Sequence, residues 1–342
     1  ILNVVWKRND YLLLENQESS SSGPDQSRWP GSKMSATEAA PVPDNAYGDG
    51  QVADHAVRIL GEQRHQPLFL AVGFRKPHLP FSAPRKYWDL YDRDQISPPE
   101  NLRKPVGIPD YAWHNSHELR GHKDVPTEGP LSEGLINRLR HGYYACVSYV
   151  DAQVGRVLDA LDEHDLSHNT IVVLWGDHGY HLGEKALWCK TTNYELDTRA
   201  PLILSAPGHT PGTSSAMVEF VDIYPTLLEA CGLPPRDDLE GLSLLPLLTQ
   251  PQRAWKIAAF SQFPRPWTYH GEPEVMGYTM RTDRYRYTEW VKFRTYESLS
   301  YELYDHGKDA GEVRNLAQNP EYAETARKLA TRLRQGWRSA LP

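Results

Sequence analysis

Apolar positions along this chain fall into two kinds of pattern. Three short runs are apolar at nearly every position: LFLAVGF (68–74), IVVLW (171–175), and Leu202, Ile203 and Leu204 behind Pro201. Short runs without alternation predict strands covered on both faces, as in a parallel sheet flanked by helices. Between the first two runs, Ile136, Leu139, Tyr143, Val147, Val150, Val154, Val157 and Leu161 step by three or four. That spacing predicts one long amphipathic helix over 133–163. Val52, Ala56, Ile59 and Leu60 predict a shorter helix over 49–63, and a third is expected around 221–231. Strands alternating with helices give an α/β fold with a mostly parallel sheet.

Two stretches break this pattern. Residues 15–48 are rich in Ser, Pro and Gly and poor in large aliphatics, which predicts a surface loop or insertion. Beyond residue 250, the segments 257–263, 276–291 and 301–304 are rich in Tyr, Thr and Arg and alternate in part. They predict a small antiparallel sheet with one exposed face. The chain closes on a helix, with Asn319 as N-cap, Pro320 at the first helical position, and a stripe of Tyr322, Ala326, Leu329, Leu333 and Trp337. The expected organisation is an α/β domain over 1–250 and a small α+β subdomain over 251–342.

Composition narrows the classes of function. Over 342 residues the net charge is −7 with both signs interspersed, and no basic run marks a nucleic-acid stripe. No apolar run reaches the roughly 18 residues that a membrane-crossing helix needs. The three cysteines, Cys146, Cys189 and Cys231, are odd in number and widely spaced. They make neither a disulfide framework nor a zinc knuckle.

The candidate chemistry is concentrated in GDHGYHLGEKALWCK (176–190). In parallel α/β sheets, ligands sit beyond the carboxyl ends of the strands. Asp177 and His178 follow IVVLW, and His78 in RKPHLP follows LFLAVGF, so both segments are expected to supply polar groups to one rim. Asp177 offers a carboxylate and His178 an imidazole, both suited to a divalent cation. Calcium prefers oxygen, whereas histidine favours zinc or manganese. Two adjacent ligands are too few for any site, so further ones must come from elsewhere. Lys190 is a candidate cation for a substrate anion or a leaving-group oxygen.

Read together, DHGYHLGEKALWCK and the following TRAPLI resemble the metal-binding region of type I sulfatases, in the alkaline phosphatase superfamily. The likeness is greatest to the iduronate-2-sulfatase branch. It extends to KPHLPF (76–81), YACVSYVDAQVGR (144–156), SQFPRP (261–266) and MGYTMRTDRYRYTEW (276–290). ELYDHGKDAGEVRNLA (302–317) is similar to the ending common to many sulfatases. The resemblance implies an alkaline-phosphatase-like fold and hydrolysis of sulfate esters on acidic sugars of glycosaminoglycan-like or other sulfated polysaccharides. By the same resemblance, Asp177 and His178 would hold one divalent cation, calcium in most relatives. Lys190 and His78 would contact the sulfate ester, one of them assisting departure of the sugar oxygen. Tyr180 would line the sugar subsite, while its neighbour His181 has no counterpart role and is expected to be exposed. A periplasmic, extracellular or lysosomal location follows from the same likeness.

The family's nucleophile is a formylglycine made from the Cys or Ser of a C-x-P/A-x-R motif. Cys146 is followed by VSYV, Cys189 by KTTN and Cys231 by GLPP, and none fits. SAPRK (82–86) places its arginine one position early and reads as a turn and helix start. The paired aspartates that complete the cation site and a G-K-x-x-H segment are not found either. In the family all of these precede the point matched by Ile1. The resemblance therefore implies that about the first third of a sulfatase lies outside these 342 residues, which alone are not expected to turn over substrate. Two other readings carry weight: a phosphomonoester or phosphonate hydrolase of the same superfamily, and a carbohydrate-binding homologue that never held a nucleophile.

Overall fold

Helix α1 (Gly48–Gln63) and helix α2 (Glu133–Glu163) form where the stripes predict them. They belong to the first of two compact units in the computed structural model, which describes residues 10–17, 34–267 and 271–342. This unit draws on residues within 1–100, 115–169 and 182–189. The Ser132 side chain caps α2, accepting from the Leu135 backbone N–H at 3.3 Å. One face of α2 buries Ile136, Leu139, Ala145, Cys146 and Tyr149. The Tyr149 hydroxyl accepts from the Gly50 backbone N–H at 2.7 Å and donates to the Asp44 carbonyl at 2.9 Å. One side chain thus ties α2 to the start of α1.

Strand β1 (Thr37–Ala40) pairs in parallel with β2 (Phe81–Pro84). This corrects the expectation of a loop over 15–48. The composition misleads because β1 is short and small-chained, and its one charged residue, Glu38, is only 3% exposed. That carboxylate accepts from the Leu12 N–H at 2.7 Å, from Asn16 at 2.7 Å and from Tyr47 at 2.8 Å, so its burial is compensated. The remainder of the expected loop, 18–33, lies outside the described residues. A second correction concerns 68–74, which forms no strand. An extended segment becomes a strand only by pairing its backbone groups with a neighbour. Among the described residues none pairs with this one, and Phe69 is 82% exposed. A third concerns SAPRK: its helix start is present at Arg85–Trp88, but strand β2 precedes it.

The second unit draws on residues within 101–114, 170–181 and 190–342. Strands β3 (Val172–Trp175) and β4 (Leu202–Ser205) pair antiparallel, not parallel as their apolar runs predict. Apolar runs report burial of both faces and leave the pairing direction open. Helix α3 (Ile223–Ala230) follows a capping box in which Asp222 accepts from the Glu219 backbone N–H at 2.9 Å.

The four C-terminal strands are β5 (Ala259–Arg265), β6 (Val275–Arg281), β7 (Tyr285–Lys292) and β8 (Ser298–Asp305). They form an antiparallel meander in the order β8-β7-β6-β5. Asn319 caps the terminal turn as predicted, accepting from the Glu321 N–H at 3.0 Å, and helix α4 (Ala323–Gln335) follows. Tyr322 and Leu329 pack with Ala258, Met280, Tyr287 and Leu303 into the core of this unit. Trp337 falls beyond the helix, which ends at Gly336.

Candidate active site

Strand β3 delivers Asp177 and His178 at its carboxyl end. The Gly176 N–H bonds the Pro201 carbonyl at 3.1 Å, carrying the β3–β4 ladder one step past Trp175. The Gly179 N–H then bonds the Asp197 carbonyl at 2.8 Å, which closes the turn. Only glycine fits at 179: a Cβ there would lie 2.0 Å from the Leu196 carbonyl oxygen and 2.7 Å from that of Arg199. Gly179 is thus explained by backbone approach, whereas a Cβ at Gly176 would meet nothing closer than the Pro201 side chain, at 3.3 Å. Gly179→Ala is expected to cost about 1–3 kcal/mol by overpacking, read as a lower urea midpoint of the purified chain.

The Asp177 side chain is 86% exposed and that of His178 31%. The Gly179 carbonyl sits 2.7 Å from His178 Nδ1. A carbonyl can only accept, so the proton is on Nδ1 and Nε2 is turned toward Asp177, 3.6 Å from Oδ1. An imidazole nitrogen and a carboxylate oxygen at this spacing make a two-donor chelate suited to a divalent cation. The Tyr180 ring stacks on the His178 ring, with centroids 6.5 Å apart and an interplanar angle of 25°.

His181 corrects the expectation of exposure. It is 0% exposed, and its Nδ1 lies 2.7 Å from Asp197 Oδ1. The other Asp197 oxygen accepts from the Thr192 N–H at 2.7 Å and from its hydroxyl at 2.5 Å. Asp197 therefore joins the Asp-His turn, through Gly179 and His181, to the segment just after Lys190. A carboxylate sixteen residues away makes burial of the histidine possible, and no local pattern announces it.

Lys190 is half-buried, and its carbonyl lies 3.1 Å from His114 Nε2. Its neighbours Cys189 (φ 69°) and Thr191 (φ 88°) both occupy the left-handed region. Such conformations cost about 1–3 kcal/mol each and persist where the surroundings over-determine them, often at functional sites.

His78 belongs to the first unit, whereas Asp177, His178, Tyr180 and Lys190 belong to the second. The Leu79 carbonyl lies 2.6 Å from His78 Nδ1, and Glu118 Oε1 lies 3.0 Å from its Nε2. Both neighbours are acceptors, and together they orient the ring. Glu118 lies in none of the segments that carry the resemblance, and no sequence signal marked it. In the same unit, Cys146 is 0% exposed and burial pushes its thiol up to about 12, which makes it inert as a nucleophile.

Among the described residues one carboxylate–imidazole group also has metal-binding spacing: Glu195, His306 and Glu312, with donor atoms within 4.8 Å of one another. Arg286 already occupies it, with Nε 2.6 Å from Glu312 and Nη2 2.5 Å from Glu195. A cation placed there would meet a like charge, so the group is an ion-pair network.

Comparison with known proteins places these features in a family. The family model described as Sulfatase matches residues 6–233, and one described as N-sulphoglucosamine sulphohydrolase, C-terminal, matches 183–338. The chain is 33% identical over 326 residues to iduronate 2-sulfatase of Mus musculus, an alignment covering 77% of the chain and 59% of that relative. It thus spans little more than half the length of this curated relative. Among solved structures, a phosphonate monoester hydrolase from Silicibacter pomeroyi superposes with a TM-score of 0.74 at 24% identity. That superposition covers 88% of this chain and 62% of the other. A protein solved with its substrate D-glucosamine-2-N,6-O-disulfate superposes at 0.72 and 22% identity, covering 86% and 70%. At these identities the two structures show a shared α/β fold. The family match spans both the Asp-His turn and the Lys190 segment, and the chain belongs to the sulfatase family.

Proposed function

We propose that these residues form the cation- and sulfate-binding part of a sulfuric ester hydrolase acting on sulfated acidic sugars, of the iduronate-2-sulfatase type. The observation that carries this reading is the Asp177–His178 donor pair, held by Gly179 and Asp197 in one hydrogen-bonded assembly with the segment after Lys190. In this reading Asp177 and His178 hold a divalent cation, with calcium favoured by the family resemblance. When bound, such a cation withdraws charge from the sulfate oxygens. Lys190 donates to the sulfate ester and supplies a proton to the departing sugar oxygen. Tyr180, stacked on His178, faces the sugar subsite. No cysteine among these 342 residues stands in the family's formylglycine motif.

A test is to express the product of the full reading frame that encodes these residues and assay it on a sulfate monoester and on a phosphonate monoester, with calcium and with manganese. The proposal expects kcat/KM to favour the sulfate ester by at least tenfold. Preference for the phosphonate ester would assign the chain to the alternative hydrolase class. No turnover of either would favour a carbohydrate-binding role.

A further inference from the structure

The second unit contains a groove of about 620 Å³ unrelated to the Asp-His turn. It is lined by the segment 251–257, the β6–β7 turn and helix α4. Its volume lies within the range of about 300–1,000 Å³ typical of ligand clefts.

Three features of the lining point to one kind of ligand. First, Arg253 and Arg332 line the groove and neither makes an ion pair with a carboxylate among the described residues. Lys328 adds a third cation, bound at 2.7 Å to Glu324 in an exposed pair that gives up little when a stronger anion arrives. Second, Trp255 and Tyr285 supply aromatic faces of the kind that stack on sugar rings. Third, the Trp255 indole N–H is buried with no acceptor. A buried donor left unsatisfied costs about 1–3 kcal/mol, and an acceptor on a ligand would recover it.

Asp283 is the one carboxylate in the lining; Lys328 is paired with Glu324 and Lys256 with Glu219 and Asp222, so Arg253 and Arg332 are the cations left for an anion on a chain whose net charge is −7. A polyanion would therefore not be drawn to this protein by overall charge and would need such a local site. Guanidinium groups match sulfate oxygens by paired N–H bonds, and aromatic faces match sugar rings.

We propose that this groove binds a sulfated oligosaccharide, as a holding site for polymer chains separate from the Asp-His turn. The choice of sulfated sugar over other anions rests on the function proposed above; the groove itself does not. Isothermal titration of the full 342-residue chain carrying Lys190→Ala, with a heparin-derived sulfated hexasaccharide as probe, tests it. That background removes the candidate sulfate contact, so failure of hydrolysis and failure of groove binding remain distinguishable.

Salt-dependent binding is expected, with affinity at least tenfold weaker for the fully desulfated hexasaccharide. Adding Arg253→Ala with Arg332→Ala should weaken binding of the sulfated probe at least tenfold, and Trp255→Phe severalfold. Arg253 is exposed, so its removal leaves folding intact; a thermal melt checks each variant, and Arg253→Ala alone decides if another melts early. No binding, equal affinity for the desulfated sugar, or unchanged affinity in the arginine variants would overturn the proposal.

Discussion

Replacing Arg286 with alanine is expected to cost about 3–5 kcal/mol of stability, because it leaves the buried Glu312 carboxylate without its cation. Arg286 is 1% exposed on β7, and Glu312, its partner at 2.6 Å, is 0% exposed. Glu312 also accepts from the Glu195 backbone N–H at 2.9 Å and faces His306 Nε2 at 3.0 Å. The network thus ties β7 to the short helix that follows Lys190. Burial alone would raise the Glu195 carboxyl, but Arg286 and Arg281 outweigh it and hold it below its ordinary value of 4.5. A depressed carboxyl contributes stability above its unfolded pKa and loses it as pH falls through the folded value. The difference between wild type and Arg286→Ala should therefore be full at pH 7 and narrow below about pH 4.5. Urea midpoints at several pH values measure this. A paired Arg286→Met, Glu312→Gln variant should recover part of the loss, since neither buried charge then lacks its partner.

Lys190→Met in the product of the full reading frame should lower kcat/KM for a sulfate monoester by about 10²–10³, the range for loss of one preorganised donor. Methionine keeps most of the stem, so packing changes little and the lost ammonium dominates. The surroundings favour this reading over a solvated surface lysine. Its two neighbours carry positive φ, His114 lies 3.1 Å from its carbonyl, and two residues on, Asp197 holds Thr192. A loop kept in unfavourable backbone geometry by several contacts is built to place something. Steady-state kinetics decide it: a rise in KM with kcat unchanged would make Lys190 a binding group, and no change would return it to the surface.

The elements legible in the sequence were those whose periodicity reports burial directly. Helix α2 spans the residues its stripe indicates, and the C-terminal strands and the Asn319 cap lie close to their expected positions. Errors came where long-range partners decide the outcome. Strand β1 hid because Glu38 is buried by donors from Leu12, Asn16 and Tyr47. The pairing direction of β3 and β4 is not encoded in their apolar runs. Residues 68–74 have the composition of a strand but no partner among the described residues.

The same division holds in the candidate site. Asp177, His178 and Lys190 stand out by residue type and by their place after an apolar run. Glu118 beneath His78, and Asp197 beneath His181, were not legible, because an acid that orients a histidine can lie anywhere in sequence. Gly179 is required by the approach of the Leu196 carbonyl, which no local pattern shows.

The central claim is that these residues hold the cation and the sulfate ester but contain no nucleophile for the sulfur. It is tested most directly by assaying hydrolysis of p-nitrophenyl sulfate by the purified 342-residue chain, with calcium or manganese added. The account predicts no turnover above the metal-only background. Robust turnover that is lost on chelation and in Lys190→Met would contradict it.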